Sequence, residues 1–157
     1  QMCIRDSLIT EADARVPEAE PEMMGHIARS LARCGQAAEA ERCFDAARKA
    51  SAALKGERRT GALEQLIERH REAGDLPGGQ ATATKLRIGN TRDRALSRLA
   101  DTALHAGDRA AAVVLMRSMK KVDEKVKVAN RILRYAMSTD GRLAPASIQL
   151  GDFWAMI

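Results

Sequence analysis

Hydrophobic residues along this chain recur at intervals of three and four positions, with polar residues between them. Four runs follow the spacing i, i+3, i+4, i+7, which places their side chains on one face of an α-helix. They are Leu63, Leu66, Ile67 and His70; Leu96, Leu99, Ala100 and Ala103; Ala112, Leu115, Met116 and Met119; and Ala129, Ile132, Leu133 and Ala136. The pattern predicts a chain of amphipathic helices.

Four glycines mark a repeat in this pattern. Gly35, Gly74, Gly107 and Gly141 follow one another at similar intervals along the chain, the first interval being the longest. An aspartate directly follows Gly74 and Gly107, and Asp140 precedes Gly141. A glycine just past a helix can adopt the left-handed conformation, and an aspartate after it can cap the next helix. Each unit of about 34 residues therefore predicts a helix, a turn and a second helix.

Positions counted from these glycines agree in residue type. Five residues after each glycine the residue is small, as expected where two helices cross closely: Ala40, Gly79, Ala112 and Ala146. Eight residues before each glycine the residue is large and apolar: Ile27, Leu66, Leu99 and Leu133. Twelve residues after each glycine the residue is apolar: Ala47, Leu86, Met119 and Phe153. We expect all three sets to lie in the core.

This agreement resembles the tetratricopeptide-repeat family. The family's usual aromatic residues early in the first helix are replaced, by Met24, Leu63, Leu96 and Asn130. The resemblance implies an all-α fold of helical hairpins stacked as a short right-handed solenoid. We expect four hairpins, at about 22–56, 57–91, 92–123 and 124–157. We also expect 8–21 to be a helix of a preceding repeat and 1–7 to be the translation of a sequencing adapter.

Composition supports the all-α prediction. Hydrophobic residues make up 45% of the chain and aromatic residues only 3%, so Ala, Leu and other helix-forming residues dominate. The 26 basic and 21 acidic residues give a net charge of +5 and look interspersed rather than segregated. No apolar run approaches the length of about 20 residues that spans a bilayer, so no membrane partner is predicted. Cys34 and Cys43 are expected to be small buried or half-buried residues.

The residues that carry catalytic or metal chemistry do not form a recognisable set. His26, His70 and His105 fall at unrelated repeat positions, and His70 occupies an apolar-face position that predicts a packed histidine rather than a metal ligand. Gly74 and Gly79 have the spacing of a phosphate-binding loop, but the Lys that such a loop requires is missing. The sequence predicts no enzyme activity, no catalytic residue, no metal and no cofactor.

The resemblance implies that the first helices of the hairpins line the concave, partner-binding surface. The residues expected there are Arg29, Glu64, Glu68, Arg71, Arg94, Asp101, Arg131 and Tyr135. We expect Tyr135, Arg94 and Arg131 to be the main anchors, since few residues carry most of the affinity of an interface. The predicted function is a protein–protein interaction or scaffold module, and its partner is another protein or peptide of unknown identity.

Two other functions stay open at this stage. Arg48, Arg87 and Lys120 stand at the thirteenth position after successive glycines, and a basic stripe on the second helices would suit an RNA backbone. The sequence argues against a nucleic-acid partner because acidic residues accompany the stripe. The chain also fits a regulatory repeat segment of a larger multidomain enzyme. The cellular compartment is not predicted.

Overall fold

A computed structural model describes residues 20–87 and 89–140, with the side chains of 139 and 140 left out. All regular secondary structure in this part of the chain is helical, which confirms the all-α prediction. The helices are α1 (Pro21–Arg33), α2 (Ala37–Ala53), α3 (Gly56–Ala73), α4 (Leu76–Ala83), α5 (Asn90–His105), α6 (Arg109–Arg117) and α7 (Val122–Asp140).

The turns at the marker glycines share one geometry. Gly35, Gly74 and Gly107 have φ values of 77°, 75° and 79°, in the left-handed region that a side chain disfavours. At each turn the glycine N–H donates to the carbonyl three residues back, and the next N–H donates to the carbonyl five residues back. This pair of bonds defines a Schellman motif. Three of the four predicted helix-ending glycines are therefore confirmed, and Gly141 lies outside the described residues.

The aspartate after the third of these turns caps a helix, as the sequence predicts. The Asp108 carboxylate accepts a hydrogen bond of 2.8 Å from the backbone N–H of Ala111, in the first turn of α6. The bond satisfies one of the N–H groups that a helix leaves without an intrahelical partner at its start.

The helices divide into two compact units, with the boundary between Asp75 and Leu76. In the first unit, α1 packs against both α2 and α3, and α2 also packs against α3. The core that they share contains Met24, Ala28, Phe44, Ala47 and Leu66. Helix α1 approaches α3 closely at Gly25, where an added Cβ would lie 3.2 Å from the Cγ of Arg69.

In the second unit, α5 packs against α4, α6 and α7, and α6 also packs against α7. Its core is made of aliphatic side chains and methionines that are at most 2% exposed, among them Leu96, Leu99, Leu115, Met116, Met119 and Val128. Helix α4 spans only eight residues, including Gly78 and Gly79. It is shorter than α2, which spans 17 residues.

Most of the repeat positions are buried as predicted. The small residues Ala40 and Ala112 are 3% and 0% exposed, and Gly79 is also buried. Twelve residues after the glycines, the apolar side chains are all buried: Ala47, Leu86 and Met119. Ala146 and Phe153 lie outside the described residues.

The prediction that Ile27 lies in the core is wrong, because its side chain is 40% exposed. The buried face of α1 is centred on Met24, Gly25 and Ala28, so Ile27 lies to one side of it. It lines an open groove of about 320 Å³ with polar and apolar neighbours: His26, Ser30, Leu31, Cys34 and Gln36. Cys34 is exposed rather than buried, whereas Cys43 is half-buried as expected.

The last described helix follows a slightly shorter period than the glycines predict. The interval from Leu66 to Leu99 equals the interval from Leu99 to Ile132, and all three side chains are at most 5% exposed. Leu133, which the spacing of the glycines aligns with Leu99, is only half-buried. Burial therefore sets the register of α7 one residue earlier than Gly141 predicts.

Candidate partner-binding surface

The predicted site residues fall on the first helices of the predicted hairpins, four in each unit. Those of the first unit are Arg29, Glu64, Glu68 and Arg71, on α1 and α3. Those of the second unit are Arg94, Asp101, Arg131 and Tyr135, on α5 and α7. In each unit these two helices pack against each other.

In the first unit, an ion pair joins α1 to α3. Arg29 and Arg69 each donate a hydrogen bond of 2.8 Å from Nη1 to Oε2 of Glu72. These two bonds hold the pKa of Glu72 below its usual value, since they favour the ionised carboxylate. Arg29 is therefore already paired with a carboxylate of the same unit. The sequence did not indicate this pair, because Glu72 is not one of the positions that recur from hairpin to hairpin.

Two other predicted residues of α3 pair with each other. Arg71 donates from Nε to both carboxylate oxygens of Glu68 at 3.0 Å. The hydrogen bond to Glu68 raises the pKa of Arg71, which stays charged in any case. Glu64 is exposed and forms no ion pair with any described residue. The first unit therefore offers a largely neutralised surface.

In the second unit, Arg131 joins α7 to α5. Its Nη1 donates to Oδ2 of Asp101 at 2.8 Å, and its Nη2 donates to Oγ of Ser97 at 2.6 Å. Burial nevertheless raises the pKa of Asp101, against the opposing effects of Arg131 and His105. The structure thus brings together Asp101 and Arg131, two of the predicted residues, and adds Ser97, whose role the sequence did not indicate.

Glu124 lies at the centre of a second cluster of charges on the same two helices. Lys127 donates from Nζ to Oε1 of Glu124 at 2.7 Å. This bond lowers the pKa of Glu124, and the charges of Lys127, Arg131 and Arg94 lower it further. The charge of Arg94, an exposed residue of α5, thus acts on a carboxylate of α7.

Tyr135 contacts a different helix from the other two predicted anchors. The guanidinium carbon of Arg109, at the start of α6, lies 5.8 Å from the centre of the Tyr135 ring. This is a cation–π distance. Tyr135 on α7 thus packs towards α6, whereas Arg131 on the same helix bonds to α5.

Two of the three basic residues that the repeat places on second helices lie outside those helices. Arg48 lies on α2 and pairs with Asp45. Helix α4 ends at Ala83 and α6 ends at Arg117, so Arg87 and Lys120 come after their helices. The prediction is wrong because these two second helices are too short to reach the thirteenth position after the turn.

Charge is segregated between the two units, contrary to the prediction from the whole sequence. Residues 20–75 contain ten basic and ten acidic residues, a net charge of zero. Residues 76–140 contain 13 basic and six acidic residues, a net charge of +7. The whole-chain net charge of +5 does not show this difference, because it sums both ranges with the remaining residues, which carry −2. The difference in net charge becomes clear only when the residues are counted on each side of the boundary between Asp75 and Leu76.

Neither a metal-binding cluster nor a membrane-spanning helix is found in the described part of the chain. Among those residues, no group of three or more His, Cys, Asp or Glu side chains could hold a metal ion. None of the described helices is both long and apolar enough to span a membrane. Comparison with known proteins gives no match to a family model, a curated protein or a solved structure.

Proposed function

We propose that this chain is a non-enzymatic protein-interaction module with tetratricopeptide-like helical hairpins. The observation that carries the proposal is the packing of helices two apart in sequence, α1 against α3 and α5 against α7. Stacked hairpins place their first helices side by side in this way. Side chains of two hairpins then contribute to one surface, to which a peptide or a helix of a partner can bind.

The repeated turns support the proposal independently. Three Schellman motifs with the same hydrogen bonds follow three first helices, and buried positions recur at equal intervals on α3, α5 and α7. The interval is close to the period of about 34 residues that is typical of tetratricopeptide hairpins. We extend this local repetition to a short right-handed solenoid whose concave face holds the partner.

RNA binding is the second candidate function, and the net charge of +7 in residues 76–140 favours it. A protein that neutralises phosphates loses affinity steeply as salt increases, because binding releases counterions. Protein binding also uses apolar contacts and neutral hydrogen bonds, so it depends less steeply on salt than binding to a phosphate backbone. The two candidates therefore separate in one experiment.

The test is affinity capture from lysate with the immobilised chain, washed at low and at high salt. Bound proteins are identified by mass spectrometry, and a recombinant copy of each is titrated against the chain. The test variant, Arg94→Ala with Lys127→Ala, removes two exposed cations from α5 and α7. The control variant, Arg42→Ala with Lys49→Ala, removes two exposed cations from α2.

We expect mass spectrometry to identify a discrete protein that binds the test variant at least about tenfold more weakly, a loss of about 1.4 kcal/mol. The control variant should bind it like the wild-type chain. Capture of mainly nucleic acid that is released by salt would favour the second candidate. Equal losses for both variants would show that the α5–α7 surface is not the binding site.

A further inference from the structure

We propose that the exposed surface shared by α5 and α7 binds an acidic segment of a partner protein through the internal Asp and Glu side chains of that segment. The inference rests on the proposed function and specifies the chemistry of the partner. The surface, called here the basic seam, comprises five cations: Arg94, Arg98, Lys127, Arg131 and Arg134.

Helical spacing places these cations in two rows. Arg94 and Arg98 are four residues apart on α5, and Lys127, Arg131 and Arg134 follow i, i+4, i+7 on α7. Residues at these intervals share one face of a helix. The rows lie beside each other because Arg131 bonds to Ser97 and Asp101 of α5.

Two carboxylates compensate part of this charge. Asp101 pairs with Arg131, and Glu124 pairs with Lys127. Arg98 and Arg134 are exposed and form no ion pair with any described residue, and Arg94 only approaches Glu124. Three guanidinium groups thus remain for a ligand. A guanidinium group can bind a carboxylate with two parallel hydrogen bonds.

The distribution of anions in the seam favours a peptide over a nucleic acid. Asp101 and Glu124 are paired with cations of the seam and add negative charge to it, so they would repel an unbroken row of phosphates. A peptide can place carboxylates only opposite the three arginines and neutral side chains elsewhere. Single-stranded nucleic acid also needs aromatic residues for base stacking. Of the two aromatic residues in the described part of the chain, Phe44 is buried and Tyr135 packs towards α6.

An exposed apolar side chain lies at one end of the seam. Met137 is 60% exposed and follows Arg134 by three residues, which places it on the same side of α7. A flexible thioether suits contact with varied apolar partners. The expected ligand therefore combines carboxylates with an apolar residue. Arg94 and Arg98 are about 6 Å apart along the helix axis, which matches glutamates at i and i+4 of a partner helix.

The difference in net charge between the two units favours binding of an acidic ligand to the second unit, which contains the basic seam. Residues 20–75 have no net charge, whereas residues 76–140 have a net charge of +7. The field of the second unit attracts an acidic segment and speeds its association. An acidic ligand should therefore bind to the second unit in preference to the first.

The test uses three fluorescein-labelled probes and the full chain. The first is a helix-forming peptide of about 16 residues, the length of α5, with Glu at i, i+4 intervals and Leu between them. The second has Gln in place of every Glu, and the third is an oligouridine of matched charge. Binding is measured by fluorescence anisotropy at about 0.05 and about 0.15 M NaCl, where the Debye length changes appreciably.

The variants differ only in where they remove charge. Arg98→Ala with Arg134→Ala removes two cations of the seam, and Arg58→Ala with Arg59→Ala removes two exposed cations of α3. All four residues are on helices and none forms an ion pair with a described residue, so both variants should fold. Thermal unfolding followed by circular dichroism checks this before binding is compared.

We expect the Glu peptide to bind the seam variant roughly tenfold more weakly than the wild-type chain, from two lost charge contacts. It should bind the α3 variant within about twofold, and the Gln peptide should bind weakly throughout. The inference is overturned if both variants lose affinity equally, if the Gln peptide binds as well, or if oligouridine binds more tightly than the Glu peptide. A captured partner that requires Arg94 and Lys127 but not acidic residues of its own would overturn the inference and leave the proposed function standing.

Discussion

The imidazole of His70 stacks on the ring of Phe44, with ring centroids 3.8 Å apart and planes inclined by 22°. His70 is fully buried on α3, and its Nδ1 lies 2.8 Å from Oδ2 of Asp75. Its Nε2 has no hydrogen-bond partner among the described residues. One side chain thus joins α2, α3 and the turn after α3, which confirms the prediction of a packed histidine.

Replacing His70 should destabilise the chain according to how much of this packing is removed. His70→Ala removes the stacked ring and leaves a cavity, so we expect a loss of about 2–4 kcal/mol in the free energy of unfolding. His70→Phe keeps a ring against Phe44 and removes the unpartnered nitrogen, so its loss should be about 1 kcal/mol. Urea unfolding followed by circular dichroism measures both. Equal losses would mean that the stack contributes little.

The carboxylate of Asp93 holds the connection between α6 and α7 from a position on α5. Asp93 is 0% exposed and accepts hydrogen bonds from the backbone N–H groups of Lys120, at 3.2 Å, and Lys121, at 2.8 Å. Asp93→Ala should cost about 2–3 kcal/mol, because it leaves two N–H groups without an acceptor. Asp93→Asn retains one acceptor oxygen and should cost about half as much.

Chemical denaturation of the two Asp93 variants checks this order. The matched control is Asp123→Ala, which removes an exposed acid at the start of α7. Its loss should be below about 1 kcal/mol, from the weakened interaction with the helix dipole. An Asp93→Ala variant as stable as Asp123→Ala would show that the two N–H groups find other partners.

The helices and most buried positions follow from the sequence because they depend on local rules. Apolar spacing fixes which face of a helix is buried, and a glycine such as Gly74 supplies the backbone conformation that ends it. The same rules misplaced Ile27, since a register taken from one glycine can be wrong by a residue or more. A one-residue change rotates a side chain by about 100° around the helix.

The hydrogen-bond partners of the candidate site residues could not be predicted from such local rules. The sequence places Arg29 and Arg131 on first helices, but Glu72 and Ser97 become their partners only through the contacts of α1 with α3 and α5 with α7. Such contacts depend on how neighbouring helices are aligned. The charge of the second unit was predictable in principle, and it was missed because the count was made over the whole chain.

Two glycines of α3 and its turn should respond in opposite ways to substitution by alanine. Gly74 has a φ of 75°, so Gly74→Ala should cost about 1–2 kcal/mol of backbone strain. Gly61 lies within α3, where an added Cβ meets nothing within 4 Å. Gly61→Ala should therefore stabilise the chain by about 0.5–1 kcal/mol, through higher helix propensity. Thermal unfolding measures the stability of both variants. Melting temperatures that shift in the same direction would contradict the left-handed conformation at Gly74.

The stability of the chain in acid should depend on Glu72. Arg29 and Arg69 hold its pKa below the usual value in the folded state, so the folded chain binds this proton less tightly than the unfolded chain. The resulting stabilisation is present above the unfolded pKa of about 4.3 and is lost as the pH falls through the folded pKa. Glu72→Gln should therefore lose less stability than the wild-type chain between about pH 5 and about pH 3.

Asp101 provides a control of opposite sign. Burial raises its pKa, so the folded chain binds this proton more tightly, and acid protonation favours folding at this position. Asp101→Asn removes that gain and should make the loss of stability in acid larger than in the wild-type chain. Urea unfolding at a series of pH values measures both variants. The same change in pH dependence for both would contradict the assigned pKa directions.

The crossing of α6 with its neighbours should tolerate only a small residue at Ala112. Its side chain is 0% exposed, whereas Ala110, two residues earlier on the same helix, is exposed. Ala112→Leu adds three carbon atoms to a filled space and should cost about 1–3 kcal/mol. Ala110→Leu makes the same chemical change in solvent and should alter the free energy of unfolding by less than about 0.5 kcal/mol. Equal shifts in the melting temperatures of the two variants would mean that the position five residues after Gly107 is not a close helix crossing.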